Sequence, residues 1–197
     1  MGAWCGLLLA GVLLAFGGGA AHACACCTNQ GQRHSGLHKL DANHREQLGQ
    51  LRFNAAATLY TGERDTADIK GIPAPALAYE LHVAQEASRW VFDLRDKDGR
   101  TGTLILPIPD SIGIFEVDPR LDSRQGGTGP SLYKEWLVAA KVTGTGIFAA
   151  GVRGNTRARL ILHGAGNSCT DAGHFGHWTL EVKGPNADFS LIGELVR

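Results

Sequence analysis

Two segments near the C-terminus alternate between apolar and polar side chains, and this two-residue period is the feature that most limits the fold. The segments are Arg157–Gly164 and His177–Gly184. Alternation of this kind is typical of β-strands that bury one face and expose the other. The stretch between them is rich in glycine, so the two segments are predicted to form an antiparallel hairpin.

The apolar pattern also predicts the register of this hairpin. With His163 opposite His177, the apolar side chains of both segments fall on one face, and Arg159 lies opposite Glu181. A slip of one residue would mix the apolar and polar faces, which disfavours the alternative register. We therefore expect the β-carbons of His163 and His177 to lie within about 5 Å of each other.

Period-two alternation recurs along most of the chain, with turn-forming residues between the alternating segments. The remaining predicted strands are Phe53–Leu59, Leu77–Ala84, Arg89–Arg95, Thr103–Ile108, Ile112–Val117, Tyr133–Thr143, Gly146–Val152 and Asp188–Val196. This pattern predicts an all-β, mainly antiparallel fold: a β-sandwich or barrel of about nine short strands with one N-terminal helix.

One stretch has the spacing of a helix instead. Apolar residues and one histidine recur at intervals of three and four from Leu37 to Leu51, and Asp41 or Asn43 could cap the main part of the helix. If the helix began earlier, His34 and His38 would lie one turn apart and could chelate a metal. The sequence favours the simpler interpretation, in which these two histidines are solvated.

The N-terminus is predicted to be a targeting segment followed by a cysteine cluster. Residues 1–23 contain an apolar run that ends in Ala-His-Ala, which is typical of a cleaved signal peptide. Residues 24–35 form a cysteine-rich segment, and residues 36–197 are predicted to form a single β domain. We therefore expect an exported protein, periplasmic or extracellular, that contacts a membrane only through the signal segment or through an N-terminal lipid on Cys24.

The cysteine cluster allows three interpretations. In an oxidising compartment Cys24, Cys26 and Cys27 are expected to form disulfides. Because adjacent cysteines bridge each other only with strain, a long-range disulfide to Cys169 is predicted. The other two interpretations are a soft-metal site for copper or zinc, and a redox or lipid-anchor role.

The loop within the C-terminal hairpin concentrates potential metal ligands. It contains Cys169, Asp171 and His174, and the predicted register adds His163 and His177 at its base. Imidazole, carboxylate and thiolate groups are the ligands that zinc and copper prefer, so this loop is the candidate metal site. The simpler alternative is an exposed pair of histidines below a solvated loop.

The composition excludes some function classes. The chain carries 19 Lys and Arg against 19 Asp and Glu, and no basic tract, so no nucleic-acid partner is expected and no other partner is indicated. The sequence favours a binding protein, with a disulfide-stapled structural or interaction domain as the alternative. An enzyme with Cys169 as nucleophile and a nearby histidine as base is less favoured, because no catalytic signature surrounds the cysteine.

Overall fold

The computed structural model describes residues 33–117, 132–166 and 171–196 of the chain. Within these ranges, eleven strands form one sheet in which every pairing is antiparallel. The strands are β1 (Arg33–Lys39), β2 (Ala56–Tyr60), β3 (Ala78–Gln85), β4 (Arg89–Asp96), β5 (Thr101–Pro107), β6 (Ser111–Val117), β7 (Leu132–Lys141), β8 (Thr143–Gly146), β9 (Arg157–Gly166), β10 (Phe175–Gly184) and β11 (Ala187–Glu194). Helix α1 spans Ala42–Gln50, and short 3₁₀ helices span Thr66–Asp68 and Ala172–His174. The predicted all-β class with one N-terminal helix is confirmed.

The sheet curls around a single core. Its hydrogen-bonded order is β1-β6-β7-β9-β10-β11-β2-β3-β4-β5-β8, which is open at β1 and at β8. The chain nevertheless passes directly from β7 into β8 through Val142. Strand β8, at one end of the order, therefore lies next to β7, which is the third strand from the other end. The described residues form one curled sheet and do not divide into two stacked sheets.

The inward face of the sheet forms the apolar core. Alternate residues of nearly every strand are buried, and aromatic side chains fill the centre, where Phe53 packs edge-on against Phe92 and Trp178. The predicted hairpin register is confirmed, because His177 pairs with His163 and Trp178 pairs with Leu162. This register places apolar residues inward and histidines outward, as the alternation predicts.

The predicted extent of the helix is wrong at its N-terminal end. The chain from Arg33 to Lys39 is strand β1, which pairs along its whole length with β6. Helix α1 begins only at Ala42, where the Asp41 side chain accepts a hydrogen bond from the His44 backbone N–H at 2.9 Å. Leu37, which extended the apparent helical stripe, is 78% exposed. The predicted boundary between residues 35 and 36 also falls inside β1.

Helix α1 packs against the inward face and against the second 3₁₀ helix. Leu48 is buried in the core, and the His44 ring lies 5.2 Å from the Trp136 ring. The Gln47 side-chain oxygen accepts a hydrogen bond from the Ala172 backbone N–H at 2.7 Å. These contacts hold the 3₁₀ helix Ala172–His174 over the inward face of the sheet.

No helix in the described ranges is long and apolar enough to cross a membrane.

Candidate functional site

A row of metal-ligand side chains crosses the outward face of four neighbouring strands. Glu135 on β7 pairs with His163 on β9, which pairs with His177 on β10, and His177 pairs with Glu194 on β11. We call these four residues the outward row. Directly paired residues project from the same face of a sheet, about 5 Å apart at their β-carbons. Two imidazoles therefore lie side by side between two carboxylates.

Hydrogen-bond partners surround His163 within this row. Its Nδ1 lies 3.4 Å from Glu135 Oε1 and 3.3 Å from Tyr133 Oη. Its Nε2 lies 3.1 Å from Thr179 Oγ1, on the neighbouring strand. The Nε2 atom is thus directed towards β10, the strand that carries His177. A carboxylate behind one ring nitrogen leaves the other nitrogen available to bind a metal, an arrangement that metal-binding histidines commonly have.

Tyr133 holds the Glu135 carboxylate in place beside His163. Its hydroxyl donates a hydrogen bond of 2.6 Å to Glu135 Oε1. Burial raises the pKa of the Tyr133 hydroxyl, and the hydrogen bond and negative charge of Glu135 raise it further. The tyrosine therefore keeps its proton at neutral pH and remains a donor. Glu135 and His163 are both partly exposed, with side-chain exposures of 32% and 27%.

The line formed by Thr179, His163 and Glu135 has the order of a hydroxyl–imidazole–carboxylate relay. Such a relay catalyses acyl transfer when backbone N–H groups nearby are free to bind the oxyanion. Here β9 and β10 pair continuously from His163 opposite His177 to Arg157 opposite Lys183, and the register shifts between Phe175 and His177. Sheet pairing occupies backbone N–H groups along these strands, so this line of side chains does not by itself indicate a hydrolase.

The structure does not bring His174 to the outward row. The His174 ring occupies the space into which a side chain at Gly166 would project, and Gly166 lies on the inward face of β9. The Asp171 backbone oxygen accepts a hydrogen bond from Lys134 Nζ, another inward side chain, at 2.8 Å. The sheet therefore separates His174 from His163 and His177.

The Asp171 side chain has a local structural role. Its Oδ1 accepts a hydrogen bond from the Gly173 backbone N–H at 2.8 Å, and its Oδ2 lies 3.5 Å from His174 Nε2. It therefore caps the 3₁₀ helix at Ala172–His174. The remaining predicted ligand, Cys169, and the cluster of Cys24, Cys26 and Cys27 lie outside the described residues, so the disulfide and thiolate-metal interpretations stay predictions.

A second pair of histidines, His34 and His38, lies on strand β1 and not on the helix that the sequence predicted there. His34 and His38 project from the inward face of β1 on either side of Gly36, and their Nε2 atoms lie 3.4 Å apart. The signal was present as His-x-Gly-x-His, because residues four apart share one face of a strand just as they share one face of a helix. From the sequence, the two histidines were considered as a chelating pair only on a helix that began earlier, whereas they lie on a strand.

Two buried ionisable residues continue the row of His34 across the inward face. His34 pairs with Glu116 on β6, and Glu116 pairs with Lys134 on β7. Both Glu116 and Lys134 are 0% exposed. Neither carboxylate oxygen of Glu116 has a hydrogen-bond partner among the described residues. Burial raises the pKa of Glu116 to about 7, although the charge of Lys134 acts in the opposite direction.

Neither histidine pair is a complete metal centre as it stands. Among the described residues, no group of three or more His, Cys, Asp or Glu side chains is arranged to hold a metal ion. Comparisons of the chain with protein-family models, with curated proteins and with solved structures gave no match. The geometry of these side chains is therefore what indicates a function.

Proposed function

We propose that this chain is an exported domain that binds a transition metal ion, copper or zinc, on its outward face through His163 and His177. The observation that carries the proposal is the outward row, in which the two imidazoles are direct cross-strand neighbours between Glu135 and Glu194. Nitrogen donors of this kind suit both ions.

The hydrogen bonds of His163 support this assignment. With Nδ1 facing Glu135 and Tyr133, the ligand atom is Nε2, which lies beside the hydroxyl of Thr179. A neutral hydroxyl is readily displaced by a metal ion. The Glu135 carboxylate then orients the ring and increases its basicity, as carboxylates behind metal-binding histidines do.

The two histidines supply part of the coordination shell. Zinc in proteins takes about four ligands, so Glu194 or water would supply the rest. Glu194 is exposed and pairs with His177, so its carboxylate is an oxygen donor next to His177 in the row. A site of this composition, open to solvent, is suited to reversible binding of an ion rather than to permanent structural use.

The alternative is a domain stapled by a disulfide between the N-terminal cysteine cluster and Cys169, with no bound ion. Thiol counting under non-reducing conditions separates the possibilities. Absence of free thiols agrees with the staple, and a single reactive thiol at Cys169 agrees with the nucleophile interpretation. Intact mass of the exported protein tests the proposed removal of residues 1–23.

The metal proposal is tested by titrating Cu(II) and Zn(II) into the metal-free full chain. We expect at least one ion to bind with a dissociation constant below about 10 μM. We expect the double variant His163→Ala/His177→Ala to lose that binding, and Glu135→Gln to weaken it about tenfold. The matched control is His82→Ala, which removes an exposed histidine from the outward face of β3. Absence of binding by the wild type, or equal binding by the double variant, contradicts the proposal.

A further inference from the structure

We propose that His34 and His38 on β1 form a second transition-metal site, on the inward face of the sheet and separate from the outward row. The pair differs from the outward row in its geometry: both histidines lie on one strand, and their rings turn towards each other over Gly36. It is therefore a local chelating unit that does not depend on the register of two strands.

The separation of the two ring nitrogens fits tetrahedral coordination. The Nε2 atoms of His34 and His38 lie 3.4 Å apart. Two nitrogens that each lie 2.0–2.1 Å from a tetrahedral zinc ion are separated by about 3.3–3.4 Å. The two imidazoles are therefore already placed at the distance that two zinc ligands require, and neither ring has to change strand or face.

Gly36 makes this approach possible. A β-carbon at this position would lie 3.1 Å from His38 Nε2 and 3.7 Å from His34 Nε2. Such a carbon would occupy the space beneath the two nitrogen atoms. The glycine thus leaves room for an ion between the rings, whereas any larger residue would push them apart.

A buried carboxylate next to the pair is the second observation that points to a cation. Glu116 pairs directly with His34, on the same inward face. It is 0% exposed, and its two oxygens have no hydrogen-bond partner among the described residues. A buried carboxylate in this condition is stabilised by a proton or by a cation. An ion held by the two histidines would supply positive charge beside it.

Lys134, on the other side of Glu116, also contacts residues that follow β9 in the chain. Its Nζ donates to the Asp171 backbone oxygen at 2.8 Å and lies 4.7 Å from the centre of the Phe175 ring. Among the described residues, neither oxygen of Glu116 forms a hydrogen bond with this lysine. The cation site at His34 and His38 lies on the side of Glu116 that faces away from Lys134.

The experiment is a titration of Zn(II), and separately of Cu(II), into the metal-free full chain with its thiols alkylated, so that only nitrogen and oxygen donors remain. With both sites intact we expect two ions per chain. His34→Ala/His38→Ala should bind one ion fewer, and Gly36→Ala should weaken the same site severalfold without removing a ligand. Gly49→Ala is the matched control, because a β-carbon there meets nothing within 4 Å.

The two proposals fail separately in this experiment. If His163→Ala/His177→Ala binds as wild type does while His34→Ala/His38→Ala loses an ion, the outward site is wrong and the β1 site stands. If His34→Ala/His38→Ala keeps the wild-type stoichiometry and affinity, the β1 site is overturned. If Gly36→Ala binds with the affinity and stoichiometry of the wild type, the β1 site is also overturned, because a β-carbon at this position would occupy space next to the two Nε2 atoms.

Discussion

The two histidine pairs lie beside carboxylates in opposite conditions. Glu135, next to His163 on the outward face, accepts a hydrogen bond from Tyr133 and is 32% exposed. Glu116, opposite His34 on the inward face, is fully buried and has no hydrogen-bond partner in the described ranges. The Glu135 carboxylate is stabilised by the Tyr133 hydroxyl and by solvent, even when no metal ion is bound. A buried carboxylate such as Glu116 destabilises the fold unless a proton or a cation neutralises its charge.

The largest expected difference between the two faces concerns packing, and neighbouring residues of β9 test it. Leu162 is inward and 0% exposed, whereas His163 is outward. Leu162→Ala should lower the free energy of unfolding by about 2–5 kcal/mol, because it leaves a cavity in the core. His163→Ala should cost about 1 kcal/mol or less. Urea denaturation of metal-free protein measures both, and similar losses would contradict the division into an apolar inward face and a polar outward face.

The next effect is a pH dependence that belongs to the inward face alone. Burial raises the pKa of Glu116 from 4.5 to about 7. Between these values the folded protein keeps a proton that the unfolded chain has released, so stability falls as the pH rises from about 4.5 to about 7 and stays lower above it. The total loss is on the order of 3 kcal/mol at most, since one pKa unit corresponds to about 1.4 kcal/mol.

Glu116→Gln isolates this contribution. The variant cannot ionise, so its stability relative to wild type should rise with pH across this range in metal-free protein. Glu80→Gln, which changes an exposed carboxylate on the outward face of β3, serves as control and should follow the wild-type profile. Urea denaturation at pH 5, 6, 7 and 8 gives the comparison. Parallel profiles for wild type and Glu116→Gln would contradict this prediction, because they would mean that the pKa of Glu116 is the same in the folded and the unfolded chain.

The C-terminal hairpin was predictable from the sequence because its two faces differ so clearly. Moving either strand by one residue would bury Arg159 or Glu181 and expose leucines, so the apolar pattern leaves one stable register. The positions of His163 and His177 follow from that register. Their partners Glu135 and Glu194 come from other strands, and the order of strands in a sheet is not encoded in local periodicity.

The β1 segment was predicted wrongly because two periodicities overlap there. Leu40, Leu48 and Leu51 are buried, and Leu37 happens to extend their three-and-four spacing. Pairing with β6, a strand distant in sequence, determines the conformation of residues 33–39 instead. Similarly, the predicted strand at Gly146–Val152 is a series of turns after β8. Phe148 is buried there by stacking on Phe189, which local alternation does not reveal.

The smallest expected effect tests the register that places the outward histidines side by side. Arg159 Nη1 lies 3.2 Å from Glu181 Oε2, across the same two strands that carry His163 and His177. A double-mutant cycle with Arg159→Ala and Glu181→Ala should give a coupling energy of about 0.2–1 kcal/mol, because the arginine is exposed and the pair is screened by water. The coupling should shrink as salt is added. A control cycle that combines Arg159→Ala with Glu194→Ala, on another strand of the same face, should give a smaller coupling. Coupling of Arg159 to Glu181 no stronger than its coupling to Glu194 would contradict this register, because β10 lies between the strands that carry Arg159 and Glu194.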